Sequence, residues 1–249
     1  MTLWRLELMR LIRTRRAAAL AGVYVFFGFV GPLTARYLAA IVDRFGGGEL
    51  TVIVPEPIPA DGIAQFASNA QQIGLLVAVV VAAGALTLDA VPELSIFLRT
   101  RVSSAARLVI PRYVVSASAT AAAYLLGVGV AWYETSVLLG GLPAGGMVLG
   151  TLLGILYLAF AVAVAAALGS RLNGVVGTVA ATLLILLVLP IAGIAETVGQ
   201  WLPSYLVGAQ VALVKGGSAG DYLGPVIVTI VAIVILLATA VRWAESREL

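Results

Sequence analysis

Residues Met147 to Leu168 read MVLGTLLGILYLAFAVAVAAAL, a stretch that contains no charged side chain. A helix needs about 20 predominantly apolar residues to cross the hydrocarbon core of a bilayer, and this stretch is long enough. It therefore predicts a transmembrane helix.

Comparable apolar runs occur along the whole chain and leave no room for a soluble domain. Hydrophobic residues make up 61% of the sequence and charged residues 11%, whereas a soluble domain carries roughly 25% charged residues. The sequence predicts an all-α polytopic membrane protein in which residues 1–249 form one transmembrane domain. The six predicted spans lie near Ala17–Val42, Gln72–Val91, Ile110–Tyr133, Met147–Leu168, Val175–Ala195 and Leu223–Val241.

The composition also excludes several kinds of chemistry. The chain has no cysteine and no histidine, which removes disulfides, thiol chemistry, the usual zinc sites and histidine-based triads. We therefore predict no catalytic residue and no metal ligand. We also predict no nucleic-acid partner. A phosphate-binding loop needs Gly-Lys-Ser/Thr, but the one lysine, Lys215, follows Val214 and precedes Gly216. The chain is not expected to hydrolyse ATP itself.

The basic residues predict the orientation of the chain in the membrane. With six spans and an inside N-terminus, twelve of the fifteen basic residues lie on the cytoplasmic side, in agreement with the positive-inside rule. This predicts a multi-pass protein of the cell inner (cytoplasmic) membrane with both termini in the cytoplasm. The cytoplasmic set is Arg5, Arg10, Arg13, Arg15, Arg16, Arg99, Arg101, Arg107, Arg112, Arg171, Arg242 and Arg247, and the outer set is Arg36, Arg44 and Lys215.

The first segment, residues 1–16, has the pattern of a helix lying in the membrane interface. On a helix from Leu3 to Arg16 one apolar stripe forms, with Arg5, Arg13 and Arg16 mostly elsewhere. Such a helix places its apolar face in lipid and its arginines near anionic head groups. The alternative is a positively charged flank of the first span. The stripe consists of Trp4, Leu8, Leu11 and Ile12.

Two outer segments are long enough to have structure of their own. In the first, Asp61 is predicted to be the N-cap of a short helix that leads into the second span. The second covers residues 196–222, and its part from Trp201 to Val214 is too apolar for an ordinary loop and too short to span. We predict a re-entrant or interfacial hairpin with Pro203 at its turn and with Trp201 and Tyr205 at the head-group level.

The inner loop between spans two and three predicts a short amphipathic helix followed by a basic turn, over residues 92–107. Pro92 suits the first position of a helix and Glu93 its N-terminal dipole. A helix parallel to the membrane with exposed charges is a docking surface for a cytoplasmic partner, although a solvated positive loop without a partner fits the spacing equally well. Asp89, just before it, is predicted to pair with an inner arginine or to cap this helix, with a proton-relay role as the alternative.

Within the spans, small residues and aromatic residues suggest two further features. Gly146, Gly150 and Gly154 allow a close helix approach, either within the chain or between two copies. Three aromatic side chains could line a central translocation route, or could face neighbouring helices or lipid; they are Tyr124, Tyr157 and Phe160.

In this order of elements the chain resembles the membrane-spanning permease subunit of an ABC transporter of the type-2 exporter family. The resemblance rests on the N-terminal "elbow" helix, six spans, the inner loop, a polar outer helix from Gln65 to Gln72, and Trp201-Leu202-Pro203-Ser204-Tyr205 before the last span. The inner-loop elements are Asp89, Pro92-Glu93-Leu94 and Arg101-Val102-Ser103, with Val102 where the family commonly has proline.

The resemblance implies a function and a set of partners. The inner loop would be the coupling helix that fits a separate ABC ATPase subunit, which holds the ATP and Mg. A second permease copy or a related permease would complete a complex that exports a hydrophobic or amphipathic cargo, such as a drug or lipid. The alternative is a non-transporting membrane anchor or sensor that recruits a cytoplasmic partner. The implied ATPase contacts are Glu93, Leu94, Phe97, Leu98, Arg99, Arg101, Ser103 and Arg107.

Overall fold

A computed structural model describes residues 3–45, 56–87, 104–193 and 196–246. All regular secondary structure in these residues is helical, which confirms the predicted all-α fold class. The helices are α1 (Leu3–Arg13), α2 (Arg16–Phe45), α3 (Pro59–Asn69), α4 (Leu75–Leu86), α5 (Ala106–Leu138), α6 (Ala144–Arg171), α7 (Val175–Ala192), α8 (Glu196–Gly199), α9 (Ala209–Val214) and α10 (Leu223–Glu245).

Six helical stretches in the described residues are long and apolar enough to cross a membrane. The protein is therefore a multi-pass membrane protein, as predicted. The second stretch begins at Pro59, well before the predicted Gln72, because α3, a π-helical turn at Ala70–Gly74 and α4 continue one another. The stretches are Arg16–Val42, Pro59–Leu86, Ala106–Leu138, Ala144–Arg171, Val175–Ala192 and Ala219–Glu245.

The start of α3 corrects one detail of the sequence analysis. Asp61 is not the N-cap, as predicted; Ile58 holds that position and Pro59 follows it as the first helical residue. Proline fits there because its fixed φ suits the helix and its missing N–H would have had no partner. Asp61 instead lies in the first turn, where its carboxylate accepts a hydrogen bond of 3.0 Å from the Ile58 N–H.

The segment before the last span packs against the bundle, which favours the re-entrant over the interfacial form of the predicted hairpin. It contains α8, a 3₁₀ turn at Pro203–Gly208, α9 and a second 3₁₀ turn at Ala219–Tyr222. A Cβ on Gly150 of α6 would lie 2.5 Å from the Gln210 Cα. Gly150 lies about 9 Å along α6 from the first residue of that helix, Ala144, at 1.5 Å per residue. Helix α9 therefore packs against the side of α6 and not at its end.

The core is centred on α6 and the α3–α4 stretch, while α7 and α10 lie at the periphery, where few of their residues are fully buried. Helices α2 and α5 cross at close range. A Cβ on Gly28 would be 2.6 Å from the Gly127 carbonyl oxygen, and one on Gly127 would be 2.7 Å from the Tyr24 carbonyl oxygen. Small residues allow such backbone contact in membranes, and this crossing places Tyr24 against the middle of α5.

The arginine-rich end of the bundle, which we call the basic end, brings together α1, the start of α5 and the ends of α6 and α10. Leu108, Ala167 and Ala240 are buried together there, with Leu3 of α1 and Trp243 packed against them. The Arg171 guanidinium lies 6.0 Å from the centre of the Trp243 ring. The helix that the sequence predicted in the interface is therefore part of the packed bundle.

Candidate functional site: a central aromatic and amide cluster

A group of aromatic rings closes the middle of the bundle. The rings of Tyr24 and Tyr124 meet edge to face with centroids 5.6 Å apart, and the Phe66 ring stacks on Tyr124 at 6.0 Å. All three side chains are buried. At 1.5 Å per residue, Tyr124 lies about 27 Å from the start of α5 and about 21 Å from its end, so the cluster is far from both ends of the helix.

The re-entrant helix α9 contributes a polar side chain to this cluster. The Tyr124 hydroxyl donates a hydrogen bond of 2.8 Å to Oε1 of Gln210, and Nε2 of Gln210 lies 3.5 Å from Oγ1 of Thr151. Gln210 is only 2% exposed. A buried amide without partners would cost free energy, so these bonds attach α9 to α5 and α6.

A second amide enters the cluster from the π-helical turn. Gln71 lies in this turn, and its Nε2 donates a hydrogen bond of 3.3 Å to the Tyr157 hydroxyl of α6. A π-turn inserts one residue per turn and shifts the direction of side chains; such turns are frequent at functional sites. Gln71, Tyr24, Tyr124 and Tyr157 line a common cavity of about 30 Å³.

One hydroxyl in the cluster is unsatisfied by the described residues. The Tyr24 hydroxyl is buried and has no hydrogen-bond partner there, although Tyr24 lines the cavity. A cavity of this volume is large enough for a water molecule. The Tyr24 hydroxyl is therefore a polar group of the cluster that can take a new partner without breaking an existing bond.

The glycine spacing on α6 serves contacts within the chain. A Cβ on Gly146 would lie 2.6 Å from the Leu213 carbonyl oxygen, and one on Gly154 would lie 2.7 Å from the Tyr124 hydroxyl. With Gly150 against Gln210, the row faces α9 and α5. Of the two alternatives left by the sequence, close packing inside one chain is the one that the structure supports.

At the basic end, α1 is joined to α5 by a buried ion pair. Oε1 of Glu7 lies 3.1 Å from Nε of Arg112, and each side chain is 5% exposed. Arg10 and Arg16 line the same small cavity. Because a lone buried charge is costly, this pair fixes the rotation of α1, with Leu11 buried and Trp4, Leu8 and Ile12 exposed. Leu11 was predicted to face lipid with the other residues of the stripe, but in the structure it is buried.

The structure brings together only some of the residues singled out from the sequence. Tyr124 and Tyr157 share the central cavity, and Phe160 packs beside Tyr157 with ring centroids 6.3 Å apart. Arg107 lies in the first turn of α5. The remaining predicted ATPase contacts and Asp89 fall outside the described residues; those contacts are Glu93, Leu94, Phe97, Leu98, Arg99, Arg101 and Ser103.

Sequence reasoning missed the polar partners of both sites. Gln71, Thr151 and Gln210 lie within apolar or loop-like stretches, and Glu7 was not singled out although it is the one acidic residue among the arginines of residues 3–16. A useful signal was available: an uncharged amide in a segment too apolar for a loop needs a buried partner. No protein-family model and no curated protein matches the chain.

Proposed function

We propose that the chain is the membrane-spanning permease subunit of an ATP-driven exporter of the type-2 ABC family. The supporting observation is the order of its elements: a helix attached at the basic end by the Glu7–Arg112 pair, six potential spans, and a re-entrant segment before the last span. A separate ABC ATPase subunit would hydrolyse ATP at the cytoplasmic face of the inner membrane, where both termini would lie.

Helix α5 is suited to transmit a movement from that ATPase to the middle of the membrane. It carries Arg107 of the implied contact surface, Arg112 bonded to Glu7, and Tyr124 bonded to Gln210. These positions lie on one continuous helix, with Arg112 and Tyr124 about 18 Å apart along its axis. A rigid-body shift of α5 at the basic end would therefore change the contact with α9. ATP binding shifts this equilibrium only if ATP favours one of the two arrangements.

The chemistry of the central cluster favours an uncharged or amphipathic cargo, such as a drug or lipid. Its polar groups are hydroxyls and amides, and no charged side chain among the described residues lines its cavity. These groups come from Tyr24, Gln71, Tyr124, Thr151, Tyr157 and Gln210. An ion-coupled carrier typically needs ionisable residues or broken helices at mid-membrane. The exposed apolar faces of α2 and α7 would contact lipid or a second permease copy.

A non-transporting anchor or sensor is a second candidate, because the cluster is closed. Its cavity of about 30 Å³ has room for about one water, so a cargo would need a different arrangement of α5 and α9 or a route between two copies. Both candidates predict a partner at the basic end. Only transport predicts ATP turnover that depends on a cargo.

The test is a mild-detergent purification of the tagged chain from its own host, followed by identification of co-purifying subunits and an ATPase assay. We expect an ATPase that is lost with Arg99→Glu and Arg101→Glu together. The matched control is Arg36→Glu with Arg44→Glu, two exposed arginines of α2 away from the basic end. Failure to find any ATPase across several mild detergents would refute the proposal. An ATPase that no hydrophobic cargo stimulates would favour the anchor or sensor.

A further inference from the structure

Two apolar grooves meet at Trp4 on the membrane-facing side of the basic end. The long groove has a volume of about 560 Å³ and lies between Trp4, Leu8 and Ile12 of α1, the start of α2, and the face of α5 from Val114 to Leu126. Its walls are apolar apart from Ser118. The short groove has the same volume and is lined by Leu3, Trp4, Ala106, Arg107, Ile110 and Pro111. Trp4 therefore lines both grooves.

The length of the long groove suits one acyl chain of a membrane lipid. From Val114 to Leu126 the long groove follows α5 for about 18 Å, which is more than half of the hydrocarbon core of about 30 Å. Tryptophan is favoured at the head-group level because its ring is apolar with one polar edge. Trp4, at 46% exposure, is placed in the wall of the long groove where an acyl chain would meet its head group.

The positive charge of α1 next to the grooves favours an anionic head group. Residues 3–16 contain five arginines and one acidic residue, Glu7, whose carboxylate is bonded to Arg112. The positive charge of α1 is therefore not balanced within this helix. Arg5 and Arg13 are exposed and directly follow Trp4 and Ile12 of the groove wall. Long arginine side chains can reach from an apolar surface to the head groups, where basic clusters attract anionic lipids.

We propose that the basic end holds a specific anionic phospholipid, with an acyl chain in the long groove and its phosphate against the arginines of α1. This site does not depend on transport or on an ATPase. It would fix the depth of α1 in the membrane, because the buried Glu7–Arg112 pair prevents α1 from moving away from α5.

The test uses tryptophan quenching in vesicles of phosphatidylcholine that contain increasing fractions of brominated phosphatidylglycerol. The chain has four tryptophans, so the signal of Trp4 is the difference between the wild type and Trp4→Phe. We expect Trp4 quenching to saturate at a low fraction of the anionic lipid, and to need a far higher fraction of brominated phosphatidylcholine. High salt should weaken the preference in the wild type, a control that needs no variant.

The head-group contact is tested with paired arginine variants. One arginine near the membrane surface contributes about a fivefold preference for anionic lipid. Arg5→Gln with Arg13→Gln should therefore reduce the preference about 25-fold. The control, Arg36→Gln with Arg44→Gln, should leave it unchanged. Quenching in proportion to lipid fraction, equal for both lipids, would mean ordinary bulk lipid and overturn the proposal. Trp4 unquenched by either lipid would mean that a second protein chain covers the grooves, which also overturns it.

Discussion

The contact of α9 with α6 can be tested by adding a single methyl group. In Gly150→Ala the new Cβ would lie 2.5 Å from the Gln210 Cα, about 1 Å closer than the 3.5–4.0 Å of a favourable carbon–carbon contact. Because the atom that it meets is backbone, α9 must move by about 1 Å. That movement would lengthen the Tyr124–Gln210 hydrogen bond from 2.8 Å beyond the range of a hydrogen bond.

The expected loss of stability follows from three contributions. Overpacking costs about 1–3 kcal/mol, and the lost hydrogen bond costs about 1 kcal/mol. Replacing glycine by alanine within a helix returns about 0.5–1 kcal/mol. Gly150→Ala should therefore lower the free energy of unfolding by about 1–3 kcal/mol. The matched control is Gly129→Ala in α5, where no atom lies within 4 Å of the added Cβ, and where stability should stay equal or rise.

The effect of Gly150→Ala can be measured in two ways, by thermal unfolding in a mild detergent and by the accessibility of a thiol on α9. The chain has no cysteine, so Leu213→Cys places one reporter on a side chain that is 6% exposed. We expect its reaction with a membrane-impermeant maleimide to be slow alone and faster in combination with Gly150→Ala. Equal melting temperatures and equal labelling for Gly150→Ala and Gly129→Ala would refute the docking of α9 at this position.

Three further predictions concern individual polar contacts, each checked by thermal unfolding in detergent. Tyr24→Phe should be neutral or stabilising, because it removes a buried hydroxyl without a partner among the described residues. Tyr124→Phe should cost about 1–2 kcal/mol, because it leaves a buried amide short of a donor. A larger loss of stability for Tyr24→Phe than for Tyr124→Phe would mean that Tyr24 has a bound partner. Glu7→Met should cost about 3–5 kcal/mol by leaving Arg112 unpaired, and adding Arg112→Met should recover most of that loss. A double variant as unstable as Glu7→Met alone would contradict the ion-pair argument. Asp61→Ala should cost about 0.5–1 kcal/mol through the lost bond at the start of α3, and no change would show that this bond contributes nothing.

Part of the central cluster could be found in the sequence, and part could not. Tyr124 and Tyr157 were identifiable because polar aromatic residues stand out within apolar spans. Gln71 and Gln210 were not, because their partners lie 86 residues away in each case. Such pairings depend on how each helix is rotated about its own axis. A short π-turn or a close glycine contact changes the direction in which the side chains point by a large angle. The Asp61 error is of another kind, because Pro59 at the first helical position is a local signal that the sequence contains.

The number and type of the spans were determined by the sequence itself, because a bilayer requires long apolar runs with their backbone groups bonded internally. The uncharged stretch from Met147 to Leu168 is sufficient to predict a helix wherever it packs. Helix rotation and the depth of the re-entrant segment were decided by tertiary structure alone. Leu11 faces the protein interior and Glu7 pairs with Arg112 because buried polar groups must be paired. Which residue becomes the partner depends on which helices are in contact.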